Sequence, residues 1–297
     1  MAAAGAPVLL NLVFIAAMLT GALAGWDMGL TMAWATPVTG LAQLALVWVA
    51  AARMGFPLRL RRPRMTPDLK RLLVIAGPAV LAGGVVQINL LVGRQVGSFF
   101  DGAIAWLSYA DRLYQLPLGV VGIAIGIVLL PDISRRLKAG DVFGSRHALS
   151  RATEFALFLT LPAAVALMVI PGPLVSVLYE RGAFTAADTA PTALALAVYG
   201  AGLPAFVLQK VLQPLYFARE DTRTPFRFAL WSMVVNAGLA IGLAPLVGFI
   251  AAALGTTLAG WAMTFQLWWG TRSMGDAARA DERLRVRLPR VLGASLV

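Results

Sequence analysis

The chain contains no cysteine, and only one of its 297 residues is a histidine. The absence of cysteine excludes disulfide frameworks, thiolate zinc sites and cysteine nucleophiles. The single histidine, His147, falls in a charged stretch that we interpret as a solvated loop. Metal binding and general-base chemistry by histidine therefore have little support. The patterns of phosphate-binding loops, zinc proteases and serine hydrolases are absent as well.

Charged residues are also scarce. They make up 13% of the chain, about half the share in a typical soluble domain, whereas 59% of residues are hydrophobic and the mean hydropathy is +0.78. Apolar stretches of about 20 residues recur along the chain, which is the length a helix needs to cross roughly 30 Å of hydrocarbon. This pattern predicts an all-α, polytopic membrane helix bundle. We predict about eight transmembrane helices, at residues 8–25, 30–52, 72–93, 103–130, 155–178, 192–216, 226–243 and 249–270.

The net charge of +11 comes from basic residues that collect in alternate connections between these helices. They are Arg53, Arg59, Arg61, Arg62, Arg64, Lys70 and Arg71, then Arg135, Arg136, Lys138, Arg146 and Arg151, then Arg219, Arg223 and Arg227, and finally six arginines after residue 271. The other connections hold Arg181 and several acids. By the positive-inside rule, we expect both termini in the cytoplasm of a bacterial inner-membrane protein. The charge is thus a topology signal rather than a nucleic-acid footprint.

The fourth predicted helix carries polar residues at a depth where a charge costs at least about 2.5–3.5 kcal/mol. Asp111 and Arg112 are adjacent, so their side chains project about 100° apart and do not simply neutralise each other. Ser108, Arg112 and Gln115 share one face of the helix. Two interpretations remain open. Arg112 either faces a cavity and binds a phosphate or carboxylate bidentately, or is a structural arginine paired with a carboxylate or with carbonyls inside the bundle.

Other predicted helices carry further polar residues. Asn89 and Arg94 belong to the third, Lys210 to the sixth and Asn236 to the seventh. Arg94 and Lys210 either line a cavity or extend their charged ends to a membrane surface. Asn236 is more typical of a hydrogen bond between helices than of a ligand site. Pro117 is expected to kink the fourth helix.

Several segments carry a resemblance to a known family. They are Gln87–Leu91, the run from Trp106 to Gly119 that includes YADRL and LPLG, the run from Leu178 to Thr185 that includes ERGAFT, and the turn from Phe217 to Pro225. On these segments the chain resembles the MurJ (MviN) family of lipid II flippases, within the superfamily of multidrug and polysaccharide exporters. The resemblance implies fourteen helices in two lobes around a central cationic cavity, followed by a C-terminal helix pair.

The resemblance also implies a domain organisation. Residues 1–71 would be the last two helices of the N-terminal lobe with a cytoplasmic linker, and 72–271 the six helices of the C-terminal lobe. Residues 272–297 would form a cytoplasmic basic loop and the start of a truncated helix. The chain would then be a fragment that lacks the first four helices and the C-terminal helix pair.

The implied activity is that of a transporter and not an enzyme. It moves undecaprenyl-pyrophosphate-linked disaccharide pentapeptide from the cytoplasmic to the periplasmic leaflet by alternating access, for peptidoglycan biosynthesis. We expect lipid II and membrane lipids as partners, no nucleic acid, no cofactor, and a monomer that associates with cell-wall synthesis proteins. The expected substrate-binding residues are Arg112, Asp111, Gln115, Ser108, Arg94, Asn89 and Lys210.

Two positions depart from the family pattern. Many relatives have an acid where Gln115 stands, and some have an aspartate at the position of Gly93, associated there with a sodium site shared with the Asn of the seventh span. Gly93 has no side-chain oxygen to contribute. We therefore expect no metal site in this chain.

Other functions remain open. The chain could export another polyprenyl-linked polysaccharide or, in the same superfamily, drugs, although an exporter of cationic drugs would favour acids within the membrane. A membrane enzyme acting on lipid-linked sugars would need paired acids or a histidine at one membrane face. Glu180 and Asp188, the acids near the outer face, are interpreted as ordinary solvated residues. A scaffold without transport activity would not need Arg112.

Overall fold

The structure is a computed structural model that describes residues 2–55, 65, 69, 87–275, 278 and 281–295. All regular secondary structure in these ranges is helical. Contacts between residues divide the chain into two compact units, Met1–Arg71 and Leu72–Val297. Six helices in the described ranges are long and apolar enough to cross a membrane.

The helices of the first unit are α1 (Ala2–Ala24) and α2 (Met28–Arg53). In the second unit, residues 87–97 form the described part of α3. The remaining elements are α4 (Ala103–Pro117), a π-helical segment (Leu118–Ile123), α5 (Ala124–Lys138), α6 (Val142–Val169), α7 (Pro171–Tyr179), α8 (Ala186–Phe217), α9 (Arg223–Val247), α10 (Ile250–Gly270), a 3₁₀ turn (Thr271–Met274) and α11 (Glu282–Ser295).

The helices α1 and α2 of the first unit form a hairpin. Asp27 caps α2, because its side-chain oxygen accepts a hydrogen bond of 2.7 Å from the amide of Leu30. Gln43 Nε2 donates to the carbonyl oxygen of Ala6 across the hairpin at 2.9 Å. Most other side chains of the two helices are apolar and exposed within the unit. Such a surface is stable in hydrocarbon rather than in water.

The long helix α8 is the centre of the second unit, where it packs against α4, α5, α6, α7 and α10. Its contact with α10 is held by polar side chains that bond main-chain oxygens on the facing helix. The bonds are Gln209 Nε2 to Gly260 O at 2.9 Å, Thr257 Oγ1 to Val198 O at 2.9 Å, Thr264 Oγ1 to Ala205 O at 2.8 Å, and Tyr216 Oη to Leu267 O at 2.6 Å. Hydrogen bonds of this kind stabilise helix pairs in an apolar solvent.

A charged junction joins α11 to α6. Arg151 binds Asp281 at 2.6 Å and also pairs with Glu154, while Arg287 Nη1 binds Glu154 Oε1 at 2.6 Å. The amide of Asp281 donates to Ser150 Oγ at 2.9 Å. Several charge-assisted bonds therefore hold the beginning of α11 against the first half of α6.

The membrane-bundle prediction is confirmed, but several boundaries were wrong. The predicted fifth span, 155–178, is two helices, because α6 already begins at Val142 and Pro171 starts α7 after a break at Ile170. His147 lies in α6 and not in a loop, since Asp141 caps that helix directly after a short turn. The predicted third span falls mostly outside the described residues. The helix near the C-terminus begins at Glu282, earlier than the sequence suggested.

Candidate substrate-binding site

The helix α4 presents one buried and one exposed face. Ala103, Leu107, Ala110 and Tyr114 are buried, and α4 packs mainly against α8. The opposite side exposes Ser108, Arg112 and Gln115 in one stripe. These positions follow directly from the spacing of apolar residues, which sets the buried face at intervals of three and four.

The charge of Arg112 is not neutralised by its neighbour. Gln115 Nε2 donates to Asp111 Oδ2, and the Asp111 side chain is half-buried while Arg112 is exposed. Throughout the described ranges, no carboxylate lies within ion-pair distance of the Arg112 guanidinium. The hydroxyl of Ser108 donates to Ile104 O at 2.6 Å, so its lone pairs remain able to accept.

Asn89 is bonded to another helix. Asn236 Nδ2 donates to Asn89 Oδ1 at 2.9 Å, which joins α3 to α9. Asn236 is 3% exposed, and its Oδ1 atom is buried without a hydrogen-bond donor among the described residues. Close packing against Gly255 explains the burial, because a Cβ at residue 255 would lie 2.8 Å from that oxygen.

Lys210 and Arg94 are both exposed. The stem of Lys210 crosses the π-helical segment, since a Cβ on Gly122 would lie 3.4 Å from Lys210 Cγ. Lys210 therefore packs against the segment that directly follows α4, on the C-terminal side of the polar stripe. Arg94 lies on α3, near the end of the helical residues 87–97, and among the described residues its side chain forms no hydrogen bond or ion pair with α4.

Three aromatic rings meet beside Arg112, a feature that the sequence did not suggest. The centroid distances are 4.8 Å between Tyr109 and Tyr179, 5.1 Å between Tyr109 and Phe184, and 5.9 Å between Tyr179 and Phe184. We call Tyr109, Tyr179 and Phe184 the aromatic cluster. Tyr109 lies three positions before Arg112 on α4, so the two side chains are neighbours on the surface of that helix.

Asp188 is not the simply solvated residue that the sequence suggested. Its Oδ1 atom accepts a hydrogen bond of 2.9 Å from Trp106 Nε1, and its Oδ2 atom accepts from the amide and hydroxyl of Thr185. Gly102 fixes the start of α4 with φ of 79°, where a Cβ would meet the Trp106 ring at 2.7 Å. Asp188 thus ties the beginning of α4 to the beginning of α8.

Two surface cavities lie elsewhere. An apolar groove of about 630 Å³ runs between α1 and α2, with Trp26 and Trp34 in its wall, and a smaller apolar depression lies beside Phe228 and Trp269. Neither is lined by the substrate-binding residues expected from the sequence. The exposed stripe of α4 therefore remains the best candidate site on chemical grounds.

Comparison with known proteins identifies the family. A family model described as "Lipid II flippase MurJ" matches residues 1–284. The chain belongs to the MurJ family. Two members from rhizobia carry the description "Probable lipid II flippase MurJ". The protein of Rhizobium tropici is 49% identical over 269 residues, and that of Rhizobium meliloti (strain 1021) is 46% identical over 299 residues.

The structural comparison agrees. A solved structure described as "Lipid II flippase MurJ, inward closed conformation" superposes with a TM-score of 0.79 at 26% identity, over 99% of this chain and 59% of that one. The match covers 90% and 100% of this chain for the two rhizobial relatives, but only 50% and 56% of their own lengths. The chain thus spans about half the length of these MurJ proteins. The fold of the family extends over essentially every described residue.

Proposed function

We propose that this chain serves in moving lipid II across the bacterial inner membrane, with the pyrophosphate of the lipid passing Arg112. The observation that carries the proposal is the exposed guanidinium of Arg112 on a helix of an apolar bundle, without a carboxylate partner in the described ranges. An uncompensated charge in hydrocarbon is costly. A diphosphate that pairs with the guanidinium would offset this cost while it is bound.

The neighbours of Arg112 support binding of an anion. The Asp111 carboxylate accepts a hydrogen bond from the Gln115 amide, and among the described residues it forms no ion pair with the Arg112 guanidinium. No hydrogen bond from the Arg112 guanidinium to another described residue takes up its five N–H donors, whose planar arrangement fits two oxygens of a phosphate. Ser108 and Gln115 flank the arginine on the same face and supply neutral hydrogen-bonding groups beside the diphosphate.

We assign lesser roles to the remaining expected residues. Lys210 lies next to the π-helical segment and would attract the diphosphate from the other end of the stripe. Arg94 would add positive charge near the end of α3. Asn89 is bonded to Asn236, so it supports the packing of α3 against α9 more directly than it supports substrate binding.

The proposed membrane topology and domain organisation are those expected from the sequence. Both termini would lie in the cytoplasm, because basic residues collect in alternate connections. The units Met1–Arg71 and Leu72–Val297 would belong to the N-terminal and C-terminal lobes. Transport would proceed by alternating access, as a monomer that meets cell-wall synthesis proteins, and without a chemical reaction.

The proposal is tested by substituting Arg112 in the chromosomal copy of the gene. We expect Arg112→Ala to abolish growth that depends on this gene, while the protein remains folded in the membrane. Losing hydrogen bonds to a charged group should weaken binding of lipid II by about 10- to 100-fold. Arg112→Lys should restore only part of it, because an ammonium group cannot bind a phosphate bidentately.

Arg227→Ala is the matched control. Arg227 is an exposed arginine at the start of α9, so its substitution removes the same charge away from α4. This variant should support growth. Normal growth of the Arg112→Ala strain, with lipid II bound as tightly as in the unaltered protein, would refute the proposal.

A further inference from the structure

We propose that the aromatic cluster of Tyr109, Tyr179 and Phe184 binds the sugar ring that is attached to the pyrophosphate of the lipid-linked substrate. This inference rests on the proposed function, because it places the pyrophosphate at Arg112. It adds a second contact, to a neutral part of the headgroup. The site would thereby distinguish a glycosylated polyprenyl diphosphate from a bare one.

The position of Tyr109 relative to Arg112 supports the inference. The two are three positions apart on α4, which is about 4.5 Å along the helix axis and about 60° around it. Long side chains on a helix lean toward its N-terminus, so the Arg112 side chain extends over the turn that carries Tyr109. A diphosphate and the sugar bonded to it are neighbouring groups of one molecule. They can therefore contact the guanidinium and the ring at the same time.

The cluster is held in place before any ligand arrives. Tyr109 comes from α4, Tyr179 ends α7 and Phe184 follows in the connection to α8, so three segments fix the rings against each other. The hydroxyl of Tyr179 donates to the backbone oxygen of Tyr109 at 3.4 Å. Tyr109 nevertheless keeps 39% of its surface exposed. A fixed and accessible ring can bind a ligand at little cost in conformational entropy.

The chemistry of the rings fits a sugar. The faces of aromatic rings are electron-rich, and the C–H groups on one side of a pyranose carry small positive charges that pack well on them. A role as a membrane-interface anchor is the competing explanation, since tyrosines are common at that depth. Substituting a membrane anchor would change the binding of lipid II and of undecaprenyl pyrophosphate equally, because an anchor does not contact the headgroup.

The experiment compares these two lipids. The full chain is purified in detergent and titrated separately with lipid II and with undecaprenyl pyrophosphate, with binding followed by native mass spectrometry. We expect Tyr109→Leu to weaken binding of lipid II by about three- to tenfold. Binding of undecaprenyl pyrophosphate should not change, since that lipid has no sugar. Tyr109→Phe, which retains the ring, should restore the affinity lost in Tyr109→Leu.

Two further variants separate the possible failures. Phe158→Leu makes the same kind of change at an exposed aromatic residue of α6 and should leave both affinities unaltered. Arg112→Ala should weaken both lipids, and if it weakens neither, the proposed function fails. If Arg112→Ala weakens both but Tyr109→Leu affects the two lipids equally or not at all, the sugar contact alone is overturned.

Discussion

Replacing Gly255 by alanine tests how closely α9 and α10 approach. A Cβ at residue 255 would lie 2.8 Å from Asn236 Oδ1, 2.9 Å from the backbone oxygen of Asn236 and 3.1 Å from the backbone nitrogen of Ala240. Two of these three atoms belong to the main chain, so the helices have to separate. Overpacking costs about 1–3 kcal/mol, and contacts with the main chain favour the upper half of that range. The better helix propensity of alanine offsets about 0.8–1.0 kcal/mol. We therefore expect Gly255→Ala to lower the free energy of unfolding by about 1–2 kcal/mol.

The matched control is Gly242→Ala in α9, where a Cβ would meet nothing within 4 Å. This variant should be as stable as the unaltered chain or gain up to about 1 kcal/mol. Equilibrium unfolding from mixed micelles into SDS, followed by the fluorescence of the 8 tryptophans, measures both changes. The packing argument is refuted if Gly255→Ala unfolds at the same SDS fraction as the unaltered chain, or if Gly242→Ala loses equal stability.

Two further predictions concern Asp281 and sodium. Burial raises the pKa of Asp281, but hydrogen bonds from the Leu284 amide and Arg151, with the charges of Arg151 and His147, lower it overall from its ordinary value of 3.8. A lowered pKa in the folded state means that the attachment of α11 is complete above pH 3.8 and is lost as the pH falls through the lower value. The protection of residues 281–295 against hydrogen exchange, measured relative to the intrinsic rate at each pH, should therefore fall in acid, and Asp281→Asn should lower it already at neutral pH. Equal protection of both proteins at both pH values would contradict this. Because Gly93 offers no carboxylate, we also expect the thermal stability to be the same in NaCl and KCl, and a sodium ion resolved between Gly93 and Asn236 would overturn that expectation.

The sequence predicted the membrane helices well because their signal is local. A run of about 20 apolar residues has to cross the hydrocarbon as a helix, whatever it packs against. Hydropathy alone failed where a helix continues beyond the apolar layer. The first turns of α6 carry Arg146, His147 and Arg151, and these charges led to the prediction of a loop. Asp141 instead caps a continuous helix. The break at Ile170 depends on the proline that follows, within an unbroken apolar run.

In the candidate site, too, the local features were predictable from the sequence and the contacts between distant segments were not. The stripe of Ser108, Arg112 and Gln115 follows from helical periodicity, and its arrangement on one exposed face was predictable. Contacts between distant segments were not. Asn89 and Asn236 are 147 positions apart, and Trp106 and Asp188 are 82 apart. A single sequence contains no signal for such pairs, since they depend on how the helices pack.

The π-helical segment at Leu118–Ile123 joins α4 to α5 in one long helical run. It determines how far the side-chain faces of α4 and α5 are rotated relative to each other. Hydrogen bonds from each residue to the fifth residue along give a wider turn, so six residues rotate about 100° less than in an α-helix. The side of the helix that carries Arg112 is therefore not the side that a uniform helix would continue into α5. Within one continuous helical run, the sector that carries Arg112 and the sector that leads toward Arg135 and Arg136 therefore point in different directions without a loop between them.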